Sequence, residues 1–416
     1  MVIVYEMIEG NGKAFFELPY FGGLWPVLLN PSLTQNSKNA FPFLRHSSPQ
    51  EIMIRICYFT HDLRHDYGSG VFSRRLIEGI KQRMGCEVEV LTSEYTGAPY
   101  EKAILLPQRF GFLRNFFRIR RIIKECNIIH ALDGYPYGAI AALASLGLKK
   151  PLVITGLGSG AVLPFYRFFS GLVFRWSLRR ANAITAISHF TRDEMFKKAP
   201  GFSIRVINPG VDMHGFDADY GIRGPWIHWK PYLLSVGTLR WRKGHHFSLR
   251  AFAEVFNEFP HLHYVIVGKR YKDDYYQRLE KLISEFGLKD RVHILDTIDR
   301  KEELQSIYKN AELFCLFSQN VGHDIEGFGM VFLEAAAAGL PVVGSKNCGI
   351  EDAMEEGKNG LLVATRDPHD FAKAILDILR NPELKKRMSA ASLDLARRSS
   401  WDNKIKEYID IYRSLV

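Results

Sequence analysis

From residue 53 onward, short apolar runs alternate with longer stretches in which apolar positions recur every three or four residues. The runs at 54–59, 88–92, 128–131, 152–155 and 183–187 are apolar almost throughout rather than alternating, which predicts strands covered on both faces. Between the first two, Gly68-Ser69-Gly70 reads as a loop, followed by a helix to about Met84. A strand and turn over 206–212 close this half, and 225–231 reads as a linker. A second series begins at 232–237 and continues at 263–267, 292–295, 313–317 and 341–344. Strands alternating with helices predict an α/β protein with two Rossmann-like, doubly wound domains facing a cleft. Ser399-Ser400 reads as the cap of a last amphipathic helix over 401–415. The expected division is therefore an extension at 1–52, a first domain at 53–224, a second at 225–398 and a final helix at 399–416. The extension has no sustained period and lacks the basic start, apolar centre and cleavage site of a signal peptide; its role is unassigned.

Composition changes this picture in two places. Five cysteines, none in a Cys-x-x-Cys pair, point away from a disulfide framework and a zinc site and fit a reducing, cytoplasmic setting. The net charge of +10 is concentrated: residues 101–200 hold sixteen Lys and Arg against five Asp and Glu, a net +11. Such a surface favours anionic partners, and no apolar run is long enough to span a membrane. On a helix over 112–124, Phe112, Phe116, Ile119 and Ile123 share one face beside a stripe of Arg114, Arg118, Arg121 and Lys124. With the aromatic and basic run at 165–180, this predicts peripheral contact with an anionic membrane.

The candidate chemistry lies at 324–349, DIEGFGMVFLEAAAAGLPVVGSKNCG. Glu326 and Glu334 stand eight positions apart around Gly327-Phe328-Gly329, which runs directly into a helix former. Glycines let the backbone come close to a ligand, so the N–H groups of Gly329, Met330 and Val331 can face a phosphate at a helix N-terminus. Glu334, about two turns along, suits a vicinal diol. This string resembles the signature of the retaining GT-B glycosyltransferases of group 1, or family 4, through Glu326, Phe328, Gly329, Glu334, Ala335, Gly339, Pro341 and Val342.

The resemblance covers residues 53–416 and implies further site residues. In Thr238–Gly244, TLRWRKG, Lys243 matches a lysine on the donor diphosphate; Thr238 stands at the usual arginine, and Arg242 is the expected replacement. Gly68, Ser69 and Gly70 match a loop near the diphosphate, and Ser188 matches a family serine. The family histidine is replaced by Thr155 or Leu157, with His130 as a substitute or a structural residue, and Asp296 stands at a usual glycine.

The resemblance implies transfer of a hexose from a nucleotide-diphosphate sugar, GDP-mannose ahead of a UDP-hexose, to a glycan or lipid-linked acceptor. No metal, cofactor or nucleic-acid partner is expected. A mannosyltransferase-like enzyme at the inner face of the membrane is the expected setting. The alternatives are a same-fold epimerase or phosphorylase, and a non-enzymatic basic protein that binds anions or membranes.

Overall fold

The computed structural model describes residues 53–416 except 66, 107, 218–220, 222–223, 299 and 365, together with 14–16 and 25–27. The chain divides after residue 52 into two units. In the first, Ala14–Phe16 pairs antiparallel with Trp25–Val27; the rest of the expected extension lies outside the described residues.

The second unit holds the two parallel sheets that the pattern predicts. The first has the order Glu101–Ala103, Glu87–Thr92, Arg55–Phe59, Ile128–Leu132, Leu152–Gly156, Ala183–Ala186, Arg205–Val206. The second runs Val292–Leu295, His263–Val267, Tyr232–Val236, Leu313–Leu316, Val342–Ser345, Gly360–Val363. In each half the earliest strand lies inside its sheet, with the next strands on one side and the later ones on the other. Strand order therefore reverses beside Phe59 and beside Val236, leaving a crevice at those carboxyl ends. Two strands escape the sequence reading, Glu101–Ala103 and Gly360–Val363, both near sheet margins and neither a long apolar run.

Three local expectations are corrected. Gly68-Ser69-Gly70 is the first turn of the helix Gly68–Met84 rather than a loop. The expected linker contains a 3-10 turn, Pro225–Trp229, anchored by buried Trp226. The helix expected over 112–124 begins only at Phe116, after a 3-10 stretch Gln108–Asn115. Its apolar residues belong to the core: Phe112, Ile119 and Ile123 are buried and Phe116 packs on the same cluster. That face is the ordinary inner face of a crossover helix, so it cannot meet a membrane.

The last helix, Trp401–Arg413, returns to the first sheet. Ser400 occupies its cap position, but the hydroxyl makes no capping bond; the Ser400 carbonyl accepts from Asn403 and Lys404 instead. Trp401 packs on Phe72, with ring centroids 5.6 Å apart. Tyr412 reaches the sheet, its hydroxyl 2.6 Å from His130 Nδ1 and 3.2 Å from Tyr58 Oη, while His130 Nε2 lies 2.7 Å from Thr155 Oγ1. Burial lowers the His130 pKa to about 3, so the ring is a neutral structural tie. Tyr412→Phe is expected to leave this ring with an unpaired nitrogen and to cost about 1–3 kcal/mol in urea unfolding. An unchanged midpoint would remove Tyr412 from the tie.

Candidate active site

After Tyr232–Val236 the chain turns through Trp241–Lys243 into Gly244, which is left-handed at φ 63°. A Cβ on Gly244 would lie 1.9 Å from the Phe317 carbonyl oxygen, so only glycine lets the turn cross the neighbouring strand end. This crossing brings Arg242 and Lys243 against the loop that carries Asp324 and Glu326. Arg242 Nη1 and Lys243 Nζ approach the same oxygen, Glu326 Oε2, at 2.6 and 2.7 Å. Arg242 Nε also lies 3.4 Å from Asp324 Oδ1, and Arg240 Nη2 lies 3.5 Å from Asp324 Oδ2.

The Arg242, Lys243 and Glu326 side chains are only 13%, 13% and 7% exposed. Burial alone would raise the Glu326 carboxyl, but the Arg242 and Lys243 charges hold it down at about 2. Burial lowers the Lys243 ammonium against the pull of Glu326. Three cations thus face two carboxylates, a local excess of positive charge suited to an anion.

Three residues beyond Glu326, left-handed Gly329 (φ 84°) starts the helix Met330–Ala337. Met330 and Val331 lie in its first turn, where N–H groups have no intrahelical acceptor. Phe328 is different from its sequence assignment: its ring is buried in the core, so any contact with a sugar donor falls to its main chain. Glu334 accepts a hydrogen bond from the Tyr308 hydroxyl at 3.0 Å. Burial raises its pKa, with the Tyr308 bond opposing. It borders a cavity of about 80 Å³ with Tyr308, Lys301, Arg75, Asp212 and Gln305. Arg75 and Lys301, one from each half, both pair with Asp212 at 3.1 and 2.9 Å.

The halves meet through the glycine loop. Ser188 caps its helix by accepting from Thr191 N, and its hydroxyl donates to the Gly327 carbonyl at 2.6 Å. A Cβ on Gly327 would fall 2.9 Å from Gly158 Cα, so two backbones touch here without side chains between them.

Two residues that the sequence reading missed flank this contact. Ser159 donates to Asp324 Oδ1 at 2.6 Å and accepts from Ile325 N. Asp133, at the end of Ile128–Leu132, has φ 125° and sits where a Cβ on Gly160 would come 2.3 Å from both its oxygens. Burial pushes its carboxyl up to about 7, against bonds from the Gly134 and Leu157 N–H groups. The glycines around Ser159 and the Asp133-Gly134 strand end were the available signals.

The other expected residues have these surroundings. Gly68 and Ser69 are exposed, and Gly70 is needed for close packing, since its Cβ would fall 2.4 Å from the Arg64 carbonyl oxygen. Further along that helix, Val71 and Arg75 line the Glu334 cavity. Thr155, at one position considered for the family histidine, is buried between His130 and Thr185. Asp296 pairs with Arg270. His61, Asp62 and Glu94 bring possible metal-ligand atoms within 4.8 Å of one another, but Arg64 already pairs with both carboxylates, at 2.8 and 3.4 Å.

The family description "Glycosyl transferases group 1" matches residues 225–393, and "Glycosyltransferase Family 4" matches residues 67–214. The chain belongs to the group 1 glycosyltransferases. A D-inositol 3-phosphate glycosyltransferase of Corynebacterium urealyticum is 33% identical over 223 residues, 51% of each chain. The match therefore spans about half of that relative's length. A GDP-mannose-dependent alpha-(1-6)-phosphatidylinositol monomannoside mannosyltransferase of Mycolicibacterium smegmatis is 29% identical over 66% of this chain and 73% of its own. The crystal structure of Anabaena HepE in complex with UDP superposes with a TM-score of 0.70 at 19% identity, over 87% of this glycosyltransferase and all of HepE, which shows the shared GT-B fold.

Proposed function

We propose that this glycosyltransferase moves a hexose, with retention, from a nucleotide-diphosphate sugar to a glycan or lipid-linked acceptor, without a metal. The observation that carries the reading is the convergence of Arg242 and Lys243 on Glu326 at the crevice of the second sheet. A departing diphosphate gains negative charge, and two half-buried cations with the first-turn amides of Met330–Ala337 stabilise it more than they stabilise the bound sugar donor. Glu326 contacts the transferred sugar and Glu334 the ribose diol. The leaving phosphate takes the proton of the acceptor hydroxyl, so no protein base is required. GDP-mannose is the first donor to test, because the Mycolicibacterium relative is named as GDP-mannose-dependent, and UDP-glucose is the next, because Anabaena HepE was crystallised with it.

The test is a thermal-shift panel of GDP-mannose, UDP-glucose and ADP-glucose, since a ligand at 100 times its Kd stabilises by about 2.7 kcal/mol. No shift with any of them would sink the reading. Turnover that requires inorganic phosphate would favour a phosphorylase, and turnover abolished by EDTA would overturn metal independence. Within the same reading, Glu334→Ala is expected to weaken binding of the free nucleoside diphosphate by about 10- to 100-fold, as for loss of a hydrogen bond to a charged group. Titration calorimetry giving wild-type affinity would take Glu334 off the ribose.

A further inference from the structure

Two helices of the first half carry large apolar side chains in water. Phe117 is 83% exposed, Phe168 75% and Phe169 80%, and Leu113, Leu172 and Val173 are exposed beside them in sequence. The helices Phe116–Lys124 and Phe168–Arg180 both pack on Ala139–Ala144 and bury their inner residues in one cluster, so they cover the same face of the seven-stranded sheet.

Each helix leads into a parallel strand, Ile128–Leu132 or Ala183–Ala186, and must therefore start near the carboxyl ends of the strands. Phe117, Phe168 and Phe169 all stand at the starts of these helices, on the cleft side of the domain. Tyr166, just before the second helix, stacks on His323 of the loop that leads to Glu326, with centroids 3.3 Å apart. A cavity of about 660 Å³, bordered by Tyr166, Phe190, Phe196, Lys197, His323 and Ile325, opens beside it.

The charge around this rim selects its partner. Arg114 and Arg118 are exposed around the start of the first helix, with exposed Arg121 a turn further on, and exposed Arg167 stands immediately before the second. Aromatic rings between arginines match a bilayer interface, where rings enter the acyl boundary and guanidinium groups meet anionic headgroups. No helix among the described residues is long and apolar enough to cross a membrane.

We infer that the rim formed by Phe117, Phe168, Phe169 and Leu172 docks this enzyme on an anionic lipid bilayer, with the cleft turned to an acceptor that stays in the membrane. This deepens the proposed transfer to a lipid-linked acceptor and rests on it. Vesicle binding and donor binding are separate measurements, so failure of one is distinguishable from failure of the other.

The experiment is sedimentation with pure phosphatidylcholine vesicles and with vesicles that also contain phosphatidylglycerol, at low and high salt. The wild type should sediment with the anionic vesicles only, and less at high salt. Phe168→Ser with Phe169→Ser should weaken that binding about tenfold or more at an unchanged melting temperature, since both rings are already in water. Arg114, Arg118 and Arg121 changed together to Gln should also weaken it, without replacing any apolar residue. Equal binding to both vesicle types, no vesicle binding, or wild-type binding by the double serine variant would overturn the inference. So would a dimer in sedimentation velocity that the serine variant abolishes, because the patch would then cover a second copy.

Discussion

Lys243→Ala is expected to lower kcat by about 10²-fold or more, in the range of removing one preorganised group that faces a developing anion. The size follows from burial. A lysine 13% exposed and 2.7 Å from Glu326 acts where water screens little, so its charge is felt strongly by a second anion beside it. The effect should appear in kcat more than in KM, because the diphosphate carries more charge in the transition state than in the bound sugar donor. Lys243→Arg should recover only part of the rate, since a planar guanidinium does not occupy the ammonium position. A wild-type kcat in Lys243→Ala would remove this residue from the reaction.

Glu326→Gln is expected to act in the opposite direction on nucleotide binding. The buried carboxylate neutralises Arg242 and Lys243 in the resting enzyme, so its loss leaves two half-buried cations without their shared anion. Breaking a buried pair in this way costs about 3–5 kcal/mol, and folding stability should fall accordingly. Turnover should be suppressed through lost contact with the sugar, while the free nucleoside diphosphate binds at least as tightly as to wild type. Its addition should raise the melting temperature of the variant more than that of the wild type.

The pH dependence checks the same pair. The folded Glu326 carboxyl lies at about 2, below its ordinary 4.5, so its contribution to stability is present above 4.5 and disappears as pH falls towards 2. The stability gap between wild type and Glu326→Gln should close over that window. A gap independent of pH, or a nucleotide affinity that falls in Glu326→Gln as it does in Glu334→Ala, would contradict the assignment.

Much of the fold was legible because buried parallel strands leave continuous apolar runs, and eleven such runs or strand-and-turn segments were read between 54 and 344. Gly329 was legible as a point of tight turning and close approach, and the structure shows that it and Gly244 are left-handed, a conformation that favours glycine. Periodicity is blind to what covers a face. Phe112, Phe116, Ile119 and Ile123 share spacing with a membrane-binding stripe and with a core stripe, and only the sheet beneath them shows which it is. The exposed rings lie one position away, at Phe117, and on a helix whose own core side is Phe174 and Leu178.

The sequence by itself determined the alternation of strands and helices, the carboxylate pair Glu326 and Glu334, and the basic turn at 240–243, since each is written in consecutive residues. Only the tertiary structure decided that Arg242 and Lys243 share one oxygen of Glu326, that Ser188 reaches Gly327, and that Asp133 and Ser159 flank the same glycine contact. Those partners stand 83, 84, 139 and 26 positions apart. Arg242 and Lys243 meet Glu326 because their strands are neighbours in the second sheet, Asp133 and Ser159 follow neighbouring strands of the first, and Ser188 meets Gly327 where the two halves touch, none of which a local pattern records.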